Sequence, residues 1–303
     1  MKIGGRKNSD AKVEASGRNG LSPSCKRPVL ITGGAGFVGS NLANHLLSAG
    51  RPVLLFDNLS RPGVVQNLIW LRKTYGSLLQ TTVADILDSA ALRRAVERSS
   101  QVFHLAAQVA VTTSLENPIR DFEINARGTL NLLEAIRIQT QPPPLLFTST
   151  NKVYGALEDL RLSRTDARYQ PEDDLARSQG INESRPLDFQ SPYGCSKGAA
   201  DQYVLDYARM FSIPAVVFRM SCIYGPRQFG TEDQGWIAHF LIRALEGSPI
   251  TVYGDGRQVR DALFVDDLVD ALLKAQKLIE KLSGQAFNIG GGAANTISLI
   301  ELI

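Results

Sequence analysis

Tyr193 and Lys197 stand four residues apart in Ser191-Pro-Tyr-Gly-Cys-Ser-Lys197, a spacing that puts a phenol and an ammonium on one face of a helix. An unperturbed tyrosine, with a pKa of about 10, is a poor base at neutral pH. A nearby positive charge favours its phenolate, which can then take the proton of a hydroxyl while the same carbon is oxidised. Thr150 ends the apolar run before Asn151-Lys-Val-Tyr-Gly155, and a hydroxyl at that edge can hydrogen-bond the reacting oxygen. Taken alone, a Tyr–Lys pair also fits a solvated helix surface. Its meaning depends on what else the chain carries.

An electron acceptor has its place upstream. Gly33-x-x-Gly36-Phe37-Val38-Gly39 lies between an apolar strand, Pro28-Val-Leu-Ile-Thr32, and a helical pattern with Val38, Leu42, Leu46 and Ala49 on one face. Glycines permit a tight turn and let the backbone approach a pyrophosphate, whose charge a helix N-terminus stabilises. Asp57 ends the next apolar strand, 18 residues after Gly39, where its carboxylate can accept both ribose hydroxyls and repel a 2′-phosphate. That pattern predicts NAD over NADP, with Arg61 arguing the other way because a guanidinium can bind a 2′-phosphate. Asn58, Asp85-Ile86 and Ala106-Ala107-Gln108 fall at or just after strand ends, where ligands of such folds sit, and are candidate cofactor contacts together with Asn125.

The elements that must position these groups alternate along the chain. Strands are expected at 81–83, 101–106, 145–148 and 215–219, and helices at 89–98, 118–138, after Tyr193 and at 265–282. Asn117 and Pro118 supply an N-cap and a first helical residue. Such alternation predicts an α/β fold, a doubly wound parallel sheet of Rossmann type, with a smaller, partly discontinuous substrate lobe towards the C-terminus. The NAD-binding part is expected over 28–225, including a long polar loop at 155–192, and the substrate lobe mainly over 226–303, with Rossmann elements returning near 261–290. A helix is expected from Asn295-Thr296 through Ser298–Ile303, and its apolar end predicts that the domain continues further.

The chain has 303 residues, 44% of them hydrophobic, and a formal net charge of +3. Residues 1–27 hold a net +5, so the remainder is slightly acidic at −2. The positive excess lies on a Gly/Ser/Lys-rich extension that reads as disordered, which excludes a basic nucleic-acid-binding body. No apolar run is long enough to cross a membrane, and no secretory signal is visible. Cys25, Cys195 and Cys222 have neither disulfide nor zinc spacing, so no metal is expected and a reducing cytoplasm is the default. His104 and His239 read as structural.

Thr32-Gly-Gly-Ala-Gly-Phe-Val-Gly39, Ser149-Thr-Asn-Lys-Val-Tyr-Gly155 and Ser191-Pro-Tyr-Gly-Cys-Ser-Lys197 together resemble the extended short-chain dehydrogenase/reductases, in particular their nucleotide-sugar epimerases and dehydratases, over residues 28–303. The resemblance implies bound NAD, catalytic roles for Thr150, Tyr193 and Lys197, and a homodimer or homotetramer. The family's sugar 4,6-dehydratases follow the threonine with an Asp-Glu pair, where this chain has Asn151-Lys152, so dehydration is disfavoured. Those two residues become candidate substrate contacts. The stretch from Ser149, together with 191–203 and 224–236, resembles the CDP-paratose 2-epimerase branch. That implies inversion at C2 of a CDP-dideoxyhexose through transient oxidation of that carbon, in cell-surface polysaccharide synthesis. A UDP-sugar 4-epimerase is the alternative within the family, and a non-catalytic dinucleotide sensor the alternative outside it. Arg227, Gln228, Asp233, Gln234 and Trp236 cluster where substrate would pass, and the resemblance marks Arg260 as a diphosphate ligand, a role suited to a guanidinium fork.

Overall fold

The computed structural model describes residues 27–303, so the basic extension, apart from Arg27, lies outside the described residues. The chain runs through β1 (Val29–Thr32), α1 (Phe37–Ser48), β2 (Val53–Asp57), α2 (Val64–Tyr75), β3 (Leu79–Val83), α3 (Ser89–Glu97) and β4 (Gln101–His104). Next come α4 (Val111–Glu116), α5 (Pro118–Phe122), α6 (Gly128–Arg137) and β5 (Leu145–Thr150). β6 (Leu162–Arg164), β7 (Tyr169–Pro171) and α7 (Asp174–Gln179) precede the long α8 (Ser191–Phe211), β8 (Ala215–Met220) and β9 (Cys222–Tyr224). The rest is α9 (Trp236–Leu245), β10 (Val259–Phe264), α10 (Val265–Lys277), α11 (Ile279–Leu282), β11 (Gln285–Ile289), β12 (Thr296–Ser298) and α12 (Leu299–Leu302).

Seven strands form one parallel sheet in the order β11-β8-β5-β4-β1-β2-β3. Successive side chains point to opposite faces, so Leu30, Leu54, Phe56 and Val102 pack against α3, α6 and α8. Val29, Ile31, Val53, Leu55 and Phe103 pack on the other side, against α1, α2 and α10. The central strands are mostly apolar because both faces are covered, whereas the edge strand β3, Leu79-Gln-Thr-Thr-Val83, is mixed. This is a doubly wound Rossmann fold. Its strand order reverses between β1 and β4, and a crevice opens at the carboxyl ends there. A smaller sheet, β12-β10-β9, and the hairpin β6-β7 stand apart from it.

Several elements differ from expectation for identifiable reasons. The helix expected over 118–138 is interrupted by a π turn at Glu123–Arg127, which turns Asn125 into the interior. The polar segment 155–192 is not an open loop: β6-β7 docks on the C-terminal lobe through an Arg168–Glu301 ion pair and a bond from the Tyr169 hydroxyl to Asp255 at 2.8 Å. Thr296–Ser298 pairs antiparallel with β10 instead of opening a helix, and the helix begins afterwards with Ser298 and Glu301 capping each other. Helices α2 and α9 carry no sequence start signal. Each follows a left-handed glycine, Gly63 or Gly235, in place of a capping side chain. Among the described residues no helix is long and apolar enough to cross a membrane.

Candidate active site

The crevice is a cavity of about 450 Å³ running from the glycine turn to the start of α9. At one end Gly33, Gly36, Phe37, Val38 and Gly39 line it, and close backbone approaches explain two of these glycines. Gly33 has φ +68°, and a Cβ there would lie 2.7 Å from the Ala106 nitrogen; one on Gly39 would lie 2.4 Å from the Gly33 oxygen. No side chain caps α1, so its first N–H groups remain available. Asp57 lies beside this turn, accepting the N–H of Ala35 at 3.0 Å and of Leu59 at 2.9 Å. Burial pushes its carboxyl upwards, opposed by those N–H groups and by the nearby Arg61.

Asn58, Asp85 and Ile86 continue the wall. Asp85 accepts from Asn58 at 3.1 Å and from Arg120 at 2.8 Å. Burial alone would raise its carboxyl, but the Leu87 N–H and these partners hold it below the usual carboxylate range. Ala106 and Ala107 also line the cavity.

At the other end α8 presents Tyr193 and Lys197, both buried, to the edge of β5, where Thr150 lies against the phenol. Burial raises the Tyr193 hydroxyl to about 12, with Thr150 favouring the phenolate and Asp121 opposing it. Burial lowers Lys197 to about 7, against the pull of Asp201 and Asp121. Lys197 donates to the Thr148 carbonyl at 2.7 Å. The backbone of Tyr193 is itself held, its N–H donating to Ser114 Oγ at 3.2 Å. Behind α8, Asp201 takes two bonds from Arg219, at 3.0 and 2.9 Å, and Arg219 also donates to the Tyr154 hydroxyl at 2.9 Å. That buried cluster ties α8 to β8 and to the turn after Thr150. Asn151, Lys152, Gln228 and Gln234 complete the lining near these groups.

Four expected contacts are not part of the cavity lining. The Gln108 side chain folds back onto Ala110, making bonds of 2.8 and 3.1 Å with its backbone. Asn125 is 1% exposed, accepts the Gln108 N–H at 2.9 Å and donates to Ser196 at 3.0 Å, so it shapes the wall from behind. Arg227 stacks on Trp70 at 3.8 Å, away from the cavity. Arg260 lies on an exposed position of β10, where its Nη1 bonds the Val259 carbonyl at 3.0 Å. The cavity also includes Ser149, Met220, Ser221 and Cys222, which the sequence reading passed over. Met220 ends β8, and Ser221 and Cys222 follow it as Ala106 follows β4, so the strand-end rule points to them. His104 bridges Thr32 and Thr129 at 2.6 and 2.9 Å within the core.

Residues 29–290 match the NAD dependent epimerase/dehydratase family. The chain belongs to that family. It is 48% identical to the CDP-paratose 2-epimerase of Salmonella typhi, over 90% of this chain and 82% of that protein. It is 35% identical to a dTDP-glucose 4,6-dehydratase of Neisseria gonorrhoeae, over 88% of this chain and 73% of that protein. Among solved structures it is similar to the UDP-glucose 4-epimerase of Thermus thermophilus in complex with NAD, with a TM-score of 0.72, 31% identity and coverage of 91% and 80%. As an epimerase-family chain its cofactor is NAD, and the residues present fit that group. The turn has no room for side chains, the α1 N–H groups are uncapped, and a carboxylate waits at the end of β2.

Proposed function

We propose that this chain inverts C2 of a CDP-linked dideoxyhexose, with Tyr193 as the acid–base group at the C2 hydroxyl. The observation that carries the reading is the 48% identity, over nearly the whole chain, to a protein named for that reaction. Asn151-Lys152 after Thr150 supports it, because elimination of water would need an acid and a base there. When bound, NAD would supply a reversible hydride acceptor and a positive charge. Gly33, Gly36, Gly39 and Asp57 would hold it. Thr150 hydrogen-bonds the reacting oxygen and shares the proton with Tyr193, and Lys197 holds the second turn of α8 against β5.

Residues 28–225 would carry the cofactor and 226–303 mainly the sugar nucleotide, with β11 returning to the large sheet. Lys152, Gln228 and Gln234 are proposed to touch the substrate. Exposed apolar side chains on α4, α5 and α8, among them Leu115, Ile119, Phe122 and Met210, support a homodimer through those helices. The free thiols of Cys195 and Cys222 support a reducing, cytoplasmic setting.

A UDP-sugar 4-epimerase would use the same three side chains, and 4-epimerases stand among the similar structures. Incubation with CDP- and UDP-linked hexoses, followed by NMR of the sugar, separates the readings. Inversion at C2 of the CDP-sugar supports the proposal. Inversion only at C4 of a UDP-sugar replaces it, and NAD binding without turnover of either points to a sensor.

A further inference from the structure

In the β5–β8 ladder Thr150 stands opposite Met220. Beyond that pair the two strand ends leave side by side, Asn151-Lys152 from one and Ser221-Cys222 from the other, all lining the cavity. Met220, Cys222 and Lys152 therefore stand on the same stretch of cavity wall as Thr150. Trp236, the first residue of α9, lines the same cavity from the C-terminal lobe. Its buried indole nitrogen finds no hydrogen-bond partner.

This wall is a thioether, a thiol and an indole. Sulfur is a weak hydrogen-bond partner, so a sugar hydroxyl placed here gives up its water without adequate return. Beside the wall lies one strong donor. Burial, and then the nearby Arg260, depress Lys152, with Cys222 opposing them.

We infer that Met220, Cys222 and Trp236 select a sugar lacking a hydroxyl next to the reacting carbon, while Lys152 donates to an oxygen that the sugar retains. The inference rests on the proposed C2 epimerisation and names what makes that site prefer a deoxygenated sugar. A pocket that leaves a polar group unpaired discriminates strongly against it, whereas one that gains a partner for it relaxes.

The test compares kcat/KM for a CDP-dideoxyhexose and for a CDP-hexose carrying the missing hydroxyls, in the wild type, Cys222→Ser and Cys222→Ala. The serine replaces sulfur by a good donor and acceptor at nearly the same size, and its preference for the dideoxy sugar should fall about tenfold. The alanine keeps the wall apolar and should hold the wild-type preference within about twofold. Met220→Gln, on the neighbouring position, should relax selectivity in the same direction and decides the matter if the serine variant does not fold. Unchanged preference in the folded polar variants overturns the inference while leaving the epimerase reading intact. A wild type that inverts neither CDP-sugar at C2 overturns both.

Discussion

Lys197 donates to the main-chain carbonyl of Thr148 at 2.7 Å, and its ammonium rests 4.3 Å from the centre of the Phe147 ring. The bond joins the second turn of α8 to β5 two residues before Thr150, which brings the phenol of Tyr193 against the Thr150 hydroxyl. Burial nevertheless keeps that phenol near 12. Within the chain, then, Lys197 positions more than it activates. The charge that lowers the phenol has to arrive with what binds beside it.

Tyr193→Phe removes the proton acceptor and leaves the ring in its place. General acid–base groups contribute on the order of 10²–10⁴-fold, and turnover of the nucleotide-sugar should fall within that range. The nucleotide retained by the purified variant, measured by mass spectrometry, should match the wild type. Normal turnover would remove Tyr193 from the mechanism.

Asp57→Ala takes away the carboxylate that faces the glycine turn. Titration with NAD and NADP should show affinity for NAD falling and the gap between the two narrowing or reversing, because Arg61 remains beside the site. The Ala35 and Leu59 N–H groups also lose their acceptor, which should lower stability by about 1–3 kcal/mol. An unaltered preference would show that Asp57 does not meet the ribose.

His104 is fully enclosed, and burial, aided by Lys197, lowers its imidazole to about 3 from an ordinary value of 6.5. The unfolded chain therefore binds this proton first as pH falls. Its contribution to stability is complete above the ordinary value and declines below it, by about 1.4 kcal/mol per pH unit, until the folded value is reached. Urea midpoints of the wild type should drop more steeply on acidification from neutrality than those of His104→Asn. Parallel curves would mean that the imidazole already reaches water or an acid.

Asp201 and Arg219 are both buried, so removing the carboxylate alone leaves a guanidinium with only Tyr154. Asp201→Ala should cost about 3–5 kcal/mol in denaturant unfolding. A loss near zero would mean that Arg219 escapes to solvent and that the cluster does not hold α8 in place.

The glycine turn, Asp57 and the Tyr193–Lys197 pair were legible because each is a local pattern whose meaning is set by the element it opens or ends. The parallel sheet followed from alternation for the same reason. Long side chains were not legible in this way. Arg227 follows a strand end, yet its guanidinium finds Trp70 on α2, a partner that only the folded chain brings near. Asn125 needed a π turn to enter the core, and nothing in the spacing of 118–138 announces one. Cys222 and Met220 escaped notice because sulfur side chains at a strand edge read as packing until the cavity beside them is seen.

The central claim is that C2 is oxidised and then reduced by the same hydrogen, and solvent isotope exchange tests it most directly. The enzyme, carrying its own nucleotide, is incubated with the CDP-dideoxyhexose in heavy water and the product examined by NMR. The account predicts inverted C2 with no deuterium on that carbon. Deuterium at C2, or no inversion there, would contradict it.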